Sequence, residues 1–97
     1  MRRQEFTPKA RRDIEGIWRY SFERFGFEKA EAYLRELQRG AETVAEDPRR
    51  GLACDNIRSG YRMFSVGSHV LFFRASESRI VIVRVLHQRM DFERHLP

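Results

Sequence analysis

The sequence predicts an α+β fold: an N-terminal edge strand, then an antiparallel helical hairpin packed on one face of a mainly antiparallel β-sheet. Three observations predict it. Apolar residues recur at three- and four-residue spacing through the first half of the chain, the period of helices with one buried stripe. After Pro48-Arg49-Arg50-Gly51 the period drops to the alternation of strands. The turn signals between those strands, Ser59-Gly60, Gly67-Ser68 and Ser76-Glu77-Ser78, are short enough to require antiparallel neighbours.

Taken in order, Arg3-Gln4-Glu5-Phe6 is the edge strand. Thr7-Pro8 follows as an N-cap and a proline at the first helical position. Ala10, Ile14, Ile17, Trp18, Phe22 and Phe25 form the buried stripe of the first helix, which Gly26 ends. Ala30, Tyr33, Leu34, Leu37, Ala41 and Val44 form the stripe of a second helix that stops at Asp47-Pro48. Gly40 inside it costs up to ~1 kcal/mol against alanine and permits close packing. Strands are then expected at Ile57, over Tyr61 to Val66, over His69 to Ala75 and over Arg79 to His87.

In the last strand Val81, Val83 and Val85 alternate with Ile80, Ile82, Arg84 and Leu86, so both faces are apolar. One hairpin covers one face. The other is therefore expected to stay open, with Arg84 in it, as a partner surface, unless Met90 to Leu96 folds back over it. For Arg84 the alternative is an ion pair with Asp91 within the chain.

Ninety-seven residues make one domain, 1–97, because a second core is not sustainable at this length. Met1-Arg2-Arg3 leads into Gln4 and Glu5 rather than an apolar run, and no apolar stretch approaches a membrane span, so a cytoplasmic protein is expected. Cys54 is the only cysteine, which excludes an internal disulfide; it reads as a buried or bystander thiol. Charge is unevenly placed. Residues 1–48 carry ten Lys/Arg and ten Asp/Glu, while residues 49–97 carry nine Arg against four acids, so the whole net charge of +5 lies in the second half. Arginine makes planar contacts with carboxylates and phosphates, so an acidic partner is implied.

His69, His87 and His95 show no metal-ligand spacing, and neither a metal nor a cofactor is expected. His69 reads as a strand-end polar residue. His87 ends the last strand near Arg84, Arg89 and Asp91. A metal-free ribonuclease needs a base, a cation and an acid, which His87, Arg62 or Arg84, and Asp91 supply on paper. One histidine near two arginines is a weak signal in so Arg-rich a chain, and catalysis ranks below binding. There is no Gly-rich phosphate loop, nucleophile elbow or aromatic RNA-binding signature.

The pieces Ala10-x2-Asp13-Ile14, Tyr20, Arg24-Phe25-Gly26-x3-Ala30-x2-Tyr33-x3-Leu37, Pro48-x2-Gly51, Ile57-Arg58-x-Gly60-Tyr61-Arg62, Ser68-His69-Val70-Leu71-Phe72-Phe73-Arg74 and Ile82-x-Arg84-Val85-Leu86-His87-x2-Met90-Asp91 are individually weak. In this order and spacing they resemble the ParE toxins of bacterial toxin–antitoxin modules, within the RelE/ParE superfamily. The resemblance implies a growth-inhibiting toxin that poisons DNA gyrase. It also implies a ParD-like antitoxin, whose flexible acidic C-terminal segment wraps the toxin. The antitoxin's ribbon-helix-helix part binds the operator, so the complex represses its own promoter and the toxin meets operator DNA only through its partner.

On this reading no residue is catalytic. The antitoxin segment is expected on Arg58, Arg62, Arg74, Ile80, Ile82, Arg84 and Leu86, and the target on His87, Arg89, Met90, Asp91 and Arg94. The RelE-like branch of the superfamily cuts mRNA on the ribosome. Here there is no lysine after Lys29 and no tyrosine near the C-terminus, so a nuclease would have to run on Arg62, Arg84 and His87.

Overall fold

A computed structural model describes residues 1–97. Strand β1 (Arg3–Phe6) leads into helix α1 (Pro8–Phe25) and helix α2 (Phe27–Glu46). After a 3-10 turn at Pro48–Arg50 come β2 (Leu52–Ala53), β3 (Arg62–Val66), β4 (His69–Ala75), β5 (Arg79–His87) and a short α3 (Phe92–His95). The sheet order is β1-β5-β4-β3-β2. Only the β1–β5 pair is parallel, the two strands being separated in the chain by the helical hairpin and β2 to β4.

Local chemistry explains the boundaries. Thr7 Oγ1 accepts from the Ala10 N–H at 3.1 Å and donates to the Val83 carbonyl at 2.8 Å, so the cap of α1 is also a tie to β5. Gly26, at φ 91°, ends α1 with its N–H on the Phe22 carbonyl and lets α2 start at the next residue. Asp47 ends α2 in an extended conformation and accepts the Arg49 N–H. No strand forms at Ile57, contrary to the expectation from sequence. Ile57 and Arg58 both donate their N–H groups to the Cys54 carbonyl, making a turn, and the short edge strand is Leu52–Ala53 instead.

Two apolar clusters flank the sheet. On the helix side Ala10, Leu37, Ala41, Val44 and Ala45 pack on Leu71, Phe73, Ile80, Ile82 and Val85. The alanines and Gly40 bring α2 close: a Cβ on Gly40 would lie 2.5 Å from Val66 Cγ2. On the other side Val70, Phe72, Val83 and Leu86 are covered by Cys54, Tyr61 and Leu96, with Phe92 stacked edge-on against Phe72 at 4.8 Å. That face is therefore not an open partner surface: the alternative holds, with the segment Met90 to Leu96 folded back over it, and the loop before β3 completes the cover. Each large side chain buried there contributes about 1.5–3 kcal/mol.

A bulge explains why the expected faces of β5 do not hold. Phe73 opposes Ile82 but Phe72 opposes Arg84, leaving Val83 as the extra residue. Ile80 and Ile82 consequently lie in the helix-side core at 0% exposure, while Leu86 lies in the opposite cluster at 1%. Helix α1 satisfies the backbone groups that the bulge displaces: Thr7 takes the Val83 carbonyl, and Asp13 Oδ2 accepts the Val85 N–H at 2.9 Å.

The stripe of α1 is buried only at its start. Phe22 and Phe25, expected inside, are exposed, as are Tyr20 and Phe27. Trp18 stacks on Phe22 at 5.1 Å and meets Phe27 edge-on, so the hairpin tip carries its own small aromatic cluster. Beyond Ile17 the hairpin faces the end of β4 and β5 only across a cleft.

Candidate functional site

Arg84 is not a free cation. Its Nε and Nη2 donate to the two carboxylate oxygens of Asp13 at 2.7 and 2.8 Å, and its Nη1 donates to the His95 carbonyl at 2.7 Å. Both side chains are 15% exposed, and the bond to Asp13 holds the guanidinium even more firmly protonated than usual. The expectations of an open-face Arg84, or of an Arg84–Asp91 pair, are corrected to a clamp between α1, the β5 bulge and the C-terminal segment. Asp13 is the residue the spacing could not reveal, because it lies 71 positions away in sequence.

The other expected antitoxin residues divide by accessibility. Arg58 donates to the carbonyls of Glu93, Leu96 and Pro97, fastening the C-terminal segment. Arg62 donates Nη1 to the Gly51 carbonyl at 2.8 Å. Arg74 is exposed and lies over the Tyr61 ring at 5.6 Å. Ile80, Ile82 and Leu86 are interior and present no surface to a partner.

Arg62, Arg84 and His87 do not converge. Arg62 opposes Phe73, four residues along β4 from His69, and His69 opposes His87. At about 3.3 Å per residue that separates the Arg62 and His87 positions by roughly 13 Å along the sheet. Arg84, between them, has its guanidinium edge filled by Asp13 and His95.

What does converge is a cleft of about 760 Å³ between the hairpin and the end of β4 and β5. Its floor is His69 and His87, ring centroids 5.3 Å apart and planes 85° to each other. Tyr33, from α2, places its hydroxyl 2.6 Å from His69 Nδ1 and accepts the Ser68 N–H at 3.2 Å. The hydroxyl also donates to the Val66 carbonyl at 3.2 Å, so it ties the His69 ring to the β3–β4 turn. Burial, and then the neighbouring His87, push the His69 pKa below its usual 6.5, which keeps that ring neutral. His87 Nδ1 accepts the Arg89 backbone N–H at 3.1 Å. The walls are Arg12, Ile17 and Tyr20 from α1, Lys29 from α2, and Met90. His69, read from sequence as a mere strand-end residue, is central here.

Past β5 the chain forms an exposed rim: Arg89, Met90, Asp91 and Arg94 are all exposed, and His87 is partly so. Asp91 stands at the N-cap of α3 without a side-chain cap bond. No three His, Cys, Asp or Glu side chains are grouped so that they could hold a metal ion. Cys54 is buried, and burial followed by nearby Asp55 pushes its thiol pKa up, away from thiolate chemistry. No helix is long and apolar enough to cross a membrane.

Comparison with known proteins agrees with this architecture. The family described as "ParE toxin of type II toxin-antitoxin system, parDE" matches residues 5–92. Toxin ParE1 of Mycobacterium tuberculosis is 52% identical over 91 residues, covering 93% of each chain. Toxin ParE1 of Caulobacter vibrioides is 44% identical over 96 residues, covering 99% of each. Among solved structures, the chromosomal ParDE TA system from P. aeruginosa superposes with a TM-score of 0.77 at 20% identity, over 90% of this chain and 96% of that one. Relatives this similar over nearly the whole chain place it in the ParE family of toxins from type II toxin–antitoxin systems.

Proposed function

We propose that the chain, acting as one cytoplasmic unit, inhibits growth by binding and poisoning DNA gyrase through the rim after β5. A ParD-like antitoxin with an acidic flexible segment neutralises it, and the pair represses its own operon through the antitoxin's DNA-binding part. The observation that carries this reading is the contrast between two sets of residues. Arg89, Met90, Asp91 and Arg94 are exposed in the short segment after β5, and His87 at its start is partly so. The residues an mRNA endonuclease would use are spread along the sheet, with Arg84 occupied in a salt bridge. A contact surface requires exposure; acid–base catalysis requires convergence within hydrogen-bond reach of one substrate.

The accessible charge supports an acidic antitoxin, although the side chains available to it differ from those expected. Arg74 and the cations around the cleft are exposed, whereas Ile80, Ile82 and Leu86 are not. The test is a supercoiling assay with purified gyrase and toxin. The expected result is dose-dependent loss of supercoiling with accumulation of cleaved DNA. Undisturbed supercoiling at saturating toxin, together with new mRNA ends on translating ribosomes, would replace this reading with the endonuclease.

A further inference from the structure

The strand register places three arginines in a row on one face of the sheet. Arg3 in β1 stands directly opposite Arg79 in β5, and Arg74 in β4 stands opposite Val81, two residues further along β5. Partners across a ladder point to the same side. Arg74 lies over the ring of Tyr61, so the row is on the face of the second apolar cluster. The C-terminal segment covers Val70, Phe72, Val83 and Leu86 on that face, towards the other end of the strands, and leaves the row exposed. Arg2 stands beside it, with Nε on the Ser76 carbonyl at 2.6 Å. Against these four arginines are Glu5 and, in the β4–β5 turn, Glu77. Like charges directly opposite each other weaken a sheet. Glu5 offsets the Arg3–Arg79 pair, with Arg3 Nε at 3.5 Å and Arg79 Nη1 at 3.1 Å, so one carboxylate serves two guanidiniums and Arg74 has no acid of its own.

We propose that this arginine row binds the phosphate backbone of duplex DNA directly. Three adjacent strands about 4.8 Å apart make the row roughly 10 Å wide. That width matches about three base-pair steps of about 3.4 Å each. Guanidiniums so placed neutralise neighbouring phosphates, and contacts of that kind hold a protein on DNA without reading its sequence. An acidic peptide fits less well. The residues beside the row, Gln4, Ala75, Ser76 and Ser78, are small or polar and offer no apolar pocket to anchor a side chain. The row also lies away from the rim: Arg79 and His87 are the two ends of β5, roughly 26 Å apart. A duplex on the row leaves Arg89 to Arg94 free, and of the residues expected to meet the antitoxin it uses only Arg74.

The test titrates the full-length chain, without gyrase or antitoxin, into a fluorescein-labelled duplex of about 20 base pairs and unrelated sequence, following anisotropy from about 50 to 200 mM salt. Saturable binding is expected, with log affinity falling against log salt at a slope of about −3, as for three or four phosphates. Arg74→Glu should weaken binding about fivefold or more, and Arg3→Gln with Arg79→Gln should make the slope shallower by about 1–2. Glu5→Gln should tighten binding about twofold or more, because it removes the carboxylate that neutralises the row. Arg89→Gln with Arg94→Gln removes the same number of charges elsewhere and should bind within about twofold of the wild type. Melting temperatures check that each variant keeps its fold. Equal losses in the two double variants would reduce the binding to net charge and overturn the assignment. So would absence of binding at the lowest salt, unchanged affinity in Glu5→Gln, or displacement of the duplex by an equimolar blocked hexaglutamate peptide, which would make the row a protein-docking surface. A fragment of the chain's own promoter should bind as the unrelated duplex does, and a preference of about tenfold or more for it would replace backbone binding with an operator contact.

Discussion

Asp13 accepts three hydrogen bonds, two from Arg84 and one from the Val85 backbone. Replacing either charged residue alone strands its partner in a largely desolvated position. Arg84→Ala or Asp13→Ala should therefore cost about 3 kcal/mol or more, and Asp13→Leu with Arg84→Met together should recover much of it. Urea unfolding midpoints measure both; an unchanged midpoint in the single variants would mean the clamp carries no stability. His69 gives a second residue-scale prediction. Its folded pKa is depressed, so its contribution is complete above 6.5 and is lost as pH falls below that value. Thermal stability should decline from pH 7 to pH 5 more steeply in the wild type than in His69→Gln, and parallel slopes would contradict the coupling. Neither partner was legible in the chain. Arg84 looked like a surface cation because sequence shows nearby Asp91 but not Asp13 across the fold, and His69 looked incidental because its partners Tyr33 and His87 come from other elements.

At the scale of elements, α2 shows how packing overrides propensity. Alanine is the better helix former, yet at Gly40 its Cβ would sit 2.5 Å from Val66 Cγ2, so Gly40→Ala should destabilise by about 1–2 kcal/mol. At Gly16 in α1 an added Cβ would have nothing within 4 Å, and Gly16→Ala should stabilise by roughly 0.5–1 kcal/mol. Equal signs in denaturation would show that propensity alone governs both helices. The long elements were readable because caps and periodicity agree: Thr7-Pro8 opens α1, Gly26 separates the helices, and β4 and β5 have their expected limits. The bulge was not. Ala75 opposes Ile80 and Phe73 opposes Ile82, but from Phe72 opposite Arg84 to His69 opposite His87 the register is shifted along β5. That one-residue step separates Ile82 from Leu86, and the groups that hydrogen-bond the backbone on either side of it, Thr7 and Asp13, lie on another part of the chain.

On the scale of the molecule, a sheet apolar on both faces must cover both. The hairpin covers one, and the segment after β5 covers the other, fastened by carbonyl bonds to Arg58 and Arg84. The tail thus has two roles: Phe92 and Leu96 close the core, while Arg89, Met90, Asp91 and Arg94 remain outside. The sequence showed the two-sided strand, but burial depends on where the chain's end returns. On the proposed reading this division separates folding from contact on the same short segment, so reversing the rim charges should spare the fold. The direct measurement is inhibition of gyrase supercoiling by the wild type and by Arg89→Glu with Arg94→Glu. Inhibition by the wild type is expected, with a loss of about tenfold or more in the variant at unchanged melting temperature, since reversed charges oppose the contact. Equal inhibition by both, or none by the wild type, would contradict it.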